Sequence, residues 1–530
     1  MKILGIDSDF IYFSANAYIA TRLAATYVKS KSAYRVPLSV EAINELSKHM
    51  DTSTLDKKMQ DMVKYRQWVK ELKSETQTVT YTDPRLRPYQ AVDVEFLKHR
   101  SRAAVFNEQR TGKTPTTLIA VRDKMKRGVI VCPAGLKYNW RKEVKTWLDR
   151  WALVVSGTPA RRKKIYEEFM SSDTGILVLS YETLRTDIDS IFPRTRYDVL
   201  IVDEAHRLRN YKTRQSKALL TLSTYVKDIY TLTGTPAVNH PSDVFGILKL
   251  LRPTKFTSYW QFVERYFAVT DGHFGKEIMG VRPDRLEEFT NLLNDISVQR
   301  KRKDVMAWIP TITKRVIPLD METKQARHYN KVLKEFRYGL KGEEKDIPNV
   351  LAQLTRLRQI AVDPGLIELD GQSPKTQFIK EFIDDSDSRI IIFSSFTSYL
   401  NTLATHIPGA VLLTGEQSQE QKQDAVDSFQ EGKSRVLLAN IKAGGVGWTI
   451  DKADTVIFTD RSYNPVDNEQ AEDRFVPTNP NVEYGAKEII DLVMNGSVEF
   501  GINQLLEQKQ NIISYVNKYI ENIGVNLGVL

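Results

Sequence analysis

Cysteine is almost missing from this chain of 530 residues: Cys132 stands alone. A single thiol excludes an internal disulfide framework and any zinc site built from several thiolates, and it suits a reducing cytosol. Cys132 itself reads as a small core residue closing a strand. Long apolar runs are missing too. The most apolar stretch near the N-terminus, Ile11 to Ala25, carries Asn16 and Arg22 and follows Asp7 and Asp9 with no basic leader, so it reads as neither a signal peptide nor a membrane span. There is no low-complexity tract and no internal repeat of solenoid period. What remains, 41% hydrophobic, 27% charged and 10% aromatic residues, is the composition of a soluble globular protein of several domains.

Lys plus Arg number 76 against 66 Asp plus Glu, a net charge of +10 and a pI of about 9.2. The excess is local. Between Lys98 and Lys164 there are 18 Lys or Arg and four acids (Glu108, Asp123, Glu143 and Asp149), so the rest of the chain is net acidic. Such a concentration points to a polyanion partner.

Short Val/Ile/Leu runs alternate with helix-like segments, the rhythm of βα units around a parallel sheet covered on both faces. One series is Ala103 to Phe106, Val129 to Val131, Ile176 to Leu179, Val199 to Val202 and Ile229 to Leu232; a second is Ile390 to Phe393, Val411 to Leu413, Val436 to Ala439, Thr455 to Phe458 and Ile489 to Val493. Two α/β lobes are therefore expected, residues 81–251 and 320–496. The stretch between them, 252–319, lacks such runs, carries the basic cluster Arg300 to Lys303 and reads as a mostly helical insertion. Residues 1–80 offer a strand at Lys2 to Ile6, aromatic-rich helical sequence and an amphipathic helix, Leu55 to Lys73. Residues 497–530 read as a C-terminal helical segment.

Gly112, Lys113 and Thr114 follow the strand at Ala103 and open a helix with Pro115 in its first turn. Backbone N–H groups there point at an anion, Lys113 would reach β- and γ-phosphates, and the Thr114 hydroxyl would ligate Mg²⁺. Asn107 stands where the strict pattern has glycine. A second site follows. Val199 to Val202 ends in Asp203, Glu204, Ala205 and His206, which puts acids at the C-terminal tip of a buried strand, where ligands bind in such sheets. Asp203 would hold Mg²⁺, and Glu204 would orient and deprotonate an attacking water.

The ordered segments resemble the Swi/Snf family of ATP-driven DNA translocases in helicase superfamily two, from about Arg85 to Lys509. Arg87-Pro88-Tyr89-Gln90 is similar to the adenine-side element, with Gln90 as reader. Val131 to Ala134 with Trp140, and Ser180 to Leu184, resemble DNA-contacting segments. Asp203 to Asn210 resembles the DEAH box with its basic tail, and Thr233-Gly234-Thr235-Pro236 with Asn239 the motif coupling hydrolysis to movement. In the second lobe Leu357-Arg358-Gln359, Phe393 to Phe396, Ala443 to Gly447, Asp460 with Tyr463 to Pro465, and Gln470 to Arg474 continue the match.

The resemblance implies two tandem RecA-like parallel-sheet lobes with a small N-terminal module and a helical inter-lobe insertion. It implies ATP and Mg²⁺ bound through Gln90, Thr111, Gly112, Lys113, Thr114, Asp203, Gly445, Gln470 and Arg474, with Lys113, Asp203, Glu204 and Arg474 in the chemistry and Arg474 as an arginine finger. His206, Thr233, Gly234 and Thr235 would couple hydrolysis to movement. DNA, double-stranded or branched, would meet Pro133, Lys137, Trp140, Ser180, Tyr181, Arg207, Arg209, Ser394, Ser395, Lys442 and Trp448. Gly445 and Gly447 would let backbone approach nucleotide or DNA closely.

The chain departs from the family pattern at four places. Pro477 stands where a second arginine is usual, with Arg461 a candidate substitute. Arg110 replaces a glycine and Asn107 an acid in the phosphate loop. Trp448 and Thr449 replace the usual residues after the fifth-motif glycines, and Trp448 would either stack on a base or pack.

The short insertion, with Phe274-Gly275, Gly280, Arg300 to Val305 and Trp308 to Pro310, is similar to the fork-remodelling and annealing branch, and the compact chain to bacteriophage branch-migration helicases. The function implied is remodelling of branched DNA in replication, recombination or repair. A nucleotide-switched DNA-binding factor with little turnover and an RNA-remodelling ATPase stand as alternatives. Residues 1–80 would be either a DNA-structure-recognition module or a cap on the first lobe. Neither secretion nor a membrane is expected; the location would be cytoplasmic in a prokaryote or phage-infected cell and nuclear in a eukaryote.

Overall fold

Apolar runs without a polar break need cover on both faces, and a parallel sheet between helices supplies it. The computed structural model describes residues 2–6, 10–15, 20, 25–28, 32–37, 46, 83–237, 240–272, 275–341, 347–371, 373–444 and 448–499. The chain divides into a small N-terminal unit and a large unit from Asp83.

The small unit holds a four-stranded antiparallel sheet: β1 (Lys2–Ile6), β2 (Phe10–Ser14), β3 (Thr26–Val28) and β4 (Ala33–Pro37), in the order β1-β2-β4-β3. The strand at Lys2 is as expected, whereas aromatic-rich sequence expected to be helical forms β2 and β4. Aromatic and β-branched side chains fit a pleated, half-buried surface: Ile11, Phe13 and Val36 are buried, and Tyr27 meets Tyr34 edge-on at 5.1 Å. The expected amphipathic helix Leu55 to Lys73 and the C-terminal segment beyond Glu499 lie outside the described residues.

The large unit contains two parallel sheets. In lobe 1, seven strands run in the order β13-β5-β10-β9-β6-β8-β7: β5 (Arg102–Val105), β6 (Arg127–Cys132), β7 (Ala152–Val154), β8 (Gly175–Ser180), β9 (Tyr197–Asp203), β10 (Val226–Leu232) and β13 (Ser297–Val298). In lobe 2, six strands run in the order β14-β19-β18-β15-β17-β16: β14 (Ile312–Leu319), β15 (Ile390–Ser394), β16 (Val411–Leu413), β17 (Val436–Asn440), β18 (Thr455–Phe458) and β19 (Lys487–Met494). All ten anticipated strands are present. Cys132 closes β6, fully buried, and burial pushes its thiol pKa up.

The inter-lobe segment differs from expectation. Helices Tyr259–Tyr266 and Leu286–Ile296 flank an antiparallel hairpin, β11 (Phe267–Gly272) and β12 (Gly275–Val281). Phe274 lies outside the described residues. The segment also lends an edge strand to each lobe, β13 beside β5 and β14 beside β19, so the second sheet begins at Ile312. β14 hides from pattern reading because its edge position leaves Thr313, Lys314 and Arg315 exposed. An aromatic cluster anchors the segment on lobe 1: Phe262 lies 5.3 Å from Phe245, 5.4 Å from Tyr266 and 5.4 Å from Phe267.

Lobe 2 closes on a buried ion pair. Lys375, fully buried in the first turn of helix Pro374–Asp384, donates to both carboxylate oxygens of Glu499 (2.7 and 2.9 Å) and to the Thr459 carbonyl (2.6 Å). Removing one partner strands the other charge. Glu499→Ala is expected to lower stability by about 3–5 kcal/mol in denaturant unfolding, whereas replacing the pair together (Lys375→Met with Glu499→Leu) recovers most of that loss.

Candidate functional site

After β5 the chain turns through Glu108 to Gly112 and enters helix Lys113–Val121. The turn needs left-handed backbone at Arg110 (φ 69°) and Gly112 (φ 83°); a Cβ at Gly112 would lie 2.1 Å from the Gln90 amide nitrogen, so only glycine fits. Asn107 is fully buried and donates to Asp93 (2.8 Å), whose other oxygen takes the Arg300 guanidinium (2.8 and 3.0 Å). An amide at residue 107 thus serves a buried carboxylate.

Gln90 sits in helix Pro88–Lys98, against this loop. Its carbonyl accepts from the Arg87 amide (2.8 Å) and its amide donates to the Thr111 carbonyl (2.9 Å), so both polar ends are spent within the protein. Thr111 is fully buried, its hydroxyl on the Glu108 carbonyl (2.7 Å). Lys113 Nζ rests on that carbonyl at 3.2 Å; burial pulls its pKa down against the raising charges of Glu204 and Asp203. Thr114 is half-buried in the first turn.

β9 carries Asp203 to the sheet edge. Trp140 Nε1 donates to Asp203 Oδ2 (2.8 Å), the Glu204 amide to Oδ1 (2.9 Å), and the Tyr181 hydroxyl to the Asp203 carbonyl (2.5 Å). Glu204 has left-handed backbone (φ 50°). Its Oε1 accepts from Gln109 (3.3 Å) and, from lobe 2, Gln470 (3.2 Å). Its Oε2 lies 3.2 Å from His206 Nδ1, which is also 3.2 Å from the Thr233 hydroxyl. Burial works to push both carboxyl pKa values up. At Asp203 burial and the adjoining Glu204 charge prevail and the pKa is raised; at Glu204 burial is outweighed by His206 and Lys113, and it is lowered. The Thr233 hydroxyl takes the Thr235 amide (3.2 Å), and a Cβ on Gly234 would lie 3.3 Å from the Gln109 nitrogen, so Gly234 packs against the phosphate loop.

Lobe 2 faces this edge with helix Pro465–Asp473. Arg474 Nη1 donates to the Trp448 carbonyl (3.0 Å), and burial and the nearby Arg110 push its pKa down to about 9. A cavity of about 320 Å³ between the lobes is lined by Pro133, Glu204, His206, Arg207 and Arg209 on one side and Asn464, Gln470 and Arg474 on the other. Arg302 joins Glu108 of the phosphate loop (3.5 Å) to Asp473. Pattern reading missed Gln109, Glu108 and Asp473. Arg302 was visible only as part of a basic run.

Several residues anticipated at DNA are elsewhere. Trp140 and Tyr181, each 1% exposed, hold Asp203 from within the core. Ser180 is buried, its hydroxyl capping helix Tyr181–Asp187 through the Thr183 amide (3.1 Å), and fully buried Ser394 donates to Asp460 (2.8 Å). Ser395 gives its amide to Asp460 (3.0 Å) and its hydroxyl takes Arg358 (3.4 Å). Trp448 packs on the lobe 2 core. Pro133 is buried but lines the cavity; Lys137 reaches the Val155 carbonyl (3.1 Å). Arg207, Arg209 and Lys442 are exposed. Arg461 is committed to Asp491 (2.6 and 3.0 Å) and Glu472 (2.7 Å) and does not replace the arginine missing at Pro477. Asn239, Gly445 and Gly447 lie outside the described residues.

Residues 44–366 match the SNF2-related domain, and residues 374–476 match the helicase conserved C-terminal domain. The chain is 26% identical over 416 residues to the human (Homo sapiens) DNA annealing helicase and endonuclease ZRANB3, covering 74% of this chain and 37% of that protein. It is 26% identical over 461 residues to the probable ATP-dependent DNA helicase CHR12 of Arabidopsis thaliana, covering 81% of this chain and 41% of that one. It thus spans about two fifths of the length of these curated relatives. Among solved structures, the Sulfolobus solfataricus SWI2/SNF2 ATPase core in complex with dsDNA aligns at a TM-score of 0.39 and 22% identity, over 86% of this chain and 98% of that one.

One acid on the lobe 2 face gives a pH signature. Burial, then the charges of Asp473 and Glu472, raise the Glu469 pKa from 4.5 to about 8. Over that range the folded chain keeps a proton the unfolded chain has released, so its stabilising share is full below pH 4.5 and lost as pH rises through 8. Glu469→Gln is expected to lose less Tm than the parent between pH 5 and pH 8.5 in thermal melts.

Proposed function

The chain belongs to the SNF2-related domain family, whose model spans more than half of it, and from that premise we propose that it is a DNA-dependent ATPase that remodels DNA. The observation carrying this reading is the grouping of Lys113 with Asp203 and Glu204 in lobe 1, where Glu204 meets Gln470 and Arg474 of lobe 2 across one cleft. A nucleoside triphosphate needs cations and N–H donors for its phosphates and a base beside the terminal one. The residues present fit that need: a helix start at Gly112, the Lys113 ammonium, and a half-buried carboxylate, Glu204, whose Oε2 accepts no aligned hydrogen bond from a described residue.

Lys113 would hold the β- and γ-phosphates. Thr114 and Asp203 would hold Mg²⁺, whose chemistry there would be to supply positive charge to the phosphates. Glu204 would orient a water and take its proton at Oε2, its lowered pKa keeping it ionised; His206 at 3.2 Å would relay the change to Thr233. Arg474 would stabilise charge growing on the γ-phosphoryl oxygens. Gln90 would read adenine only by exchanging its present partners.

Exposed Arg207, Arg209 and Lys442 follow the C-terminal ends of β9 and β17 and would meet a phosphate backbone, giving binding without sequence readout and with strong salt dependence. Action on branched DNA, by fork regression, branch migration or annealing, is the finer proposal. It is supported by likeness to a protein named as a DNA annealing helicase.

The test is ATP hydrolysis across single strands, duplexes, forks and four-way junctions. Wild type is expected to hydrolyse ATP faster with DNA, most with forks and junctions, while Lys113→Ala and Glu204→Gln fall by about 10²–10⁴-fold. No turnover with any DNA would end the motor reading, and stimulation by plain duplex alone would end the branched-DNA one.

A further inference from the structure

Arg110 occupies backbone that glycine favours. At φ 69° a β-carbon is strained, and the phosphate loop already has its glycine two residues on. The side chain therefore needs a reason, and its hydrogen bonds supply one. Every one of them crosses to lobe 2. Nε donates to the Asp473 carbonyl (2.8 Å), Nη1 to the Thr449 hydroxyl (2.7 Å), and Nη2 to the carbonyls of Trp448 (3.0 Å) and Arg474 (3.2 Å). A planar guanidinium with donors in a fixed fork can hold such a set, whereas an ammonium cannot.

The four acceptors lie on two segments, 448–449 and 473–474, which are themselves tied by the Ile450 amide on the Arg474 carbonyl (2.9 Å). Arg474 also donates to the Trp448 carbonyl (3.0 Å), so Arg110 and Arg474 share one acceptor. Arg302 takes the Asp473 carboxylate while Arg110 takes its carbonyl, fixing that residue at both ends. Movement of Arg110 would therefore shift the backbone that carries Arg474 and the carbonyl against which it rests.

We infer that Arg110 is a positioning residue for Arg474: from the phosphate loop it clamps the 448–449 turn and the end of helix Pro465–Asp473, and so sets where the Arg474 guanidinium points. The inference rests on the role proposed for Arg474 in phosphoryl transfer. It also accounts for a single arginine serving where Pro477 stands in place of a second one beyond the helix, because lobe 1 supplies the supporting cation.

The experiment compares wild type, Arg110→Gly, Arg110→Lys, Arg474→Ala and the double variant Arg110→Gly/Arg474→Ala. Four quantities are read: affinity for a fluorescent ATP analogue, kcat and KM for ATP with saturating duplex, and the distance between fluorophores on the two lobes without nucleotide. Arg110→Gly suits the backbone and should fold; Arg110→Lys keeps a charge and covers the case in which it does not. Both variants are expected to bind nucleotide within about 3-fold of wild type and to lose kcat by about 10–100-fold, the scale of misplacing a catalytic group by about 1 Å. Arg110→Gly should also lengthen or broaden the inter-lobe distance. The double variant should be no slower than Arg474→Ala alone, since residues acting through one another are not additive.

A kcat for Arg110→Gly within about 2-fold of wild type, or losses that multiply in the double variant, would overturn the inference. Retained turnover in Lys113→Ala would instead sink the proposed function. In that event an unchanged inter-lobe distance in Arg110→Gly would still overturn the clamp.

Discussion

Two carboxylates adjoin at the buried tip of β9, and each loses hydration beside a like charge, a cost that the surrounding structure must offset. Asp203 receives the Trp140 indole, the Glu204 amide and, at its carbonyl, the Tyr181 hydroxyl. Glu204 Oε1 receives Gln109 and, from the opposite lobe, Gln470, while His206 Nδ1 lies 3.2 Å from Oε2. Trp140 thus serves the Asp203 carboxylate, and Tyr181 its main-chain carbonyl, from within the core. The site is completed only where the lobes meet.

Each lobe has an apolar core of its own around its own sheet. Among the described residues many of the hydrogen bonds between the lobes are made by arginines: Arg110 to three carbonyls and a hydroxyl, Arg302 to Asp473, Arg87 to the Thr478 carbonyl (2.8 Å). Contacts of this kind exchange with water at little net free energy, about 0.5–1.5 kcal/mol for a typical hydrogen bond and about 1.5–3 for charged ones. Such a seam can part and re-form, as a cleft that admits a nucleotide must, without exposing either core.

The strands that build both sheets were legible because full burial demands unbroken Val/Ile/Leu. Strands at sheet edges were not: β14 exposes Lys314 and Arg315, and β13 has only two residues. Lys113, Asp203, Glu204, His206 and Thr233 were found as motif residues and do converge. Burial of motif neighbours was the illegible part. Ser180, Ser394, Trp140 and Tyr181 sit in segments matching a DNA-contact pattern, yet their side chains serve caps and carboxylates inside the lobes. The basic stretch Lys98 to Lys164 was read as one feature and is several. Lys113 and Arg110 belong to the phosphate loop and its contacts, Arg162 pairs with Asp187 (2.7 Å), Lys124 with Asp228 (3.2 Å) and Lys145 with Asp149 (2.5 Å), while Arg141, Lys142, Arg161 and Lys164 are exposed. Charge counted along a chain does not say which charges already have partners.

In the proposed function one ATP site is divided between two lobes, with its binding half on lobe 1 and a group needed only during hydrolysis on lobe 2. Single-turnover hydrolysis by Arg474→Ala, with and without saturating duplex, tests it most directly. The account predicts nucleotide affinity near that of wild type, hydrolysis slower by about 10²-fold or more, and little stimulation by DNA. DNA-stimulated hydrolysis at the wild-type rate in Arg474→Ala would contradict it.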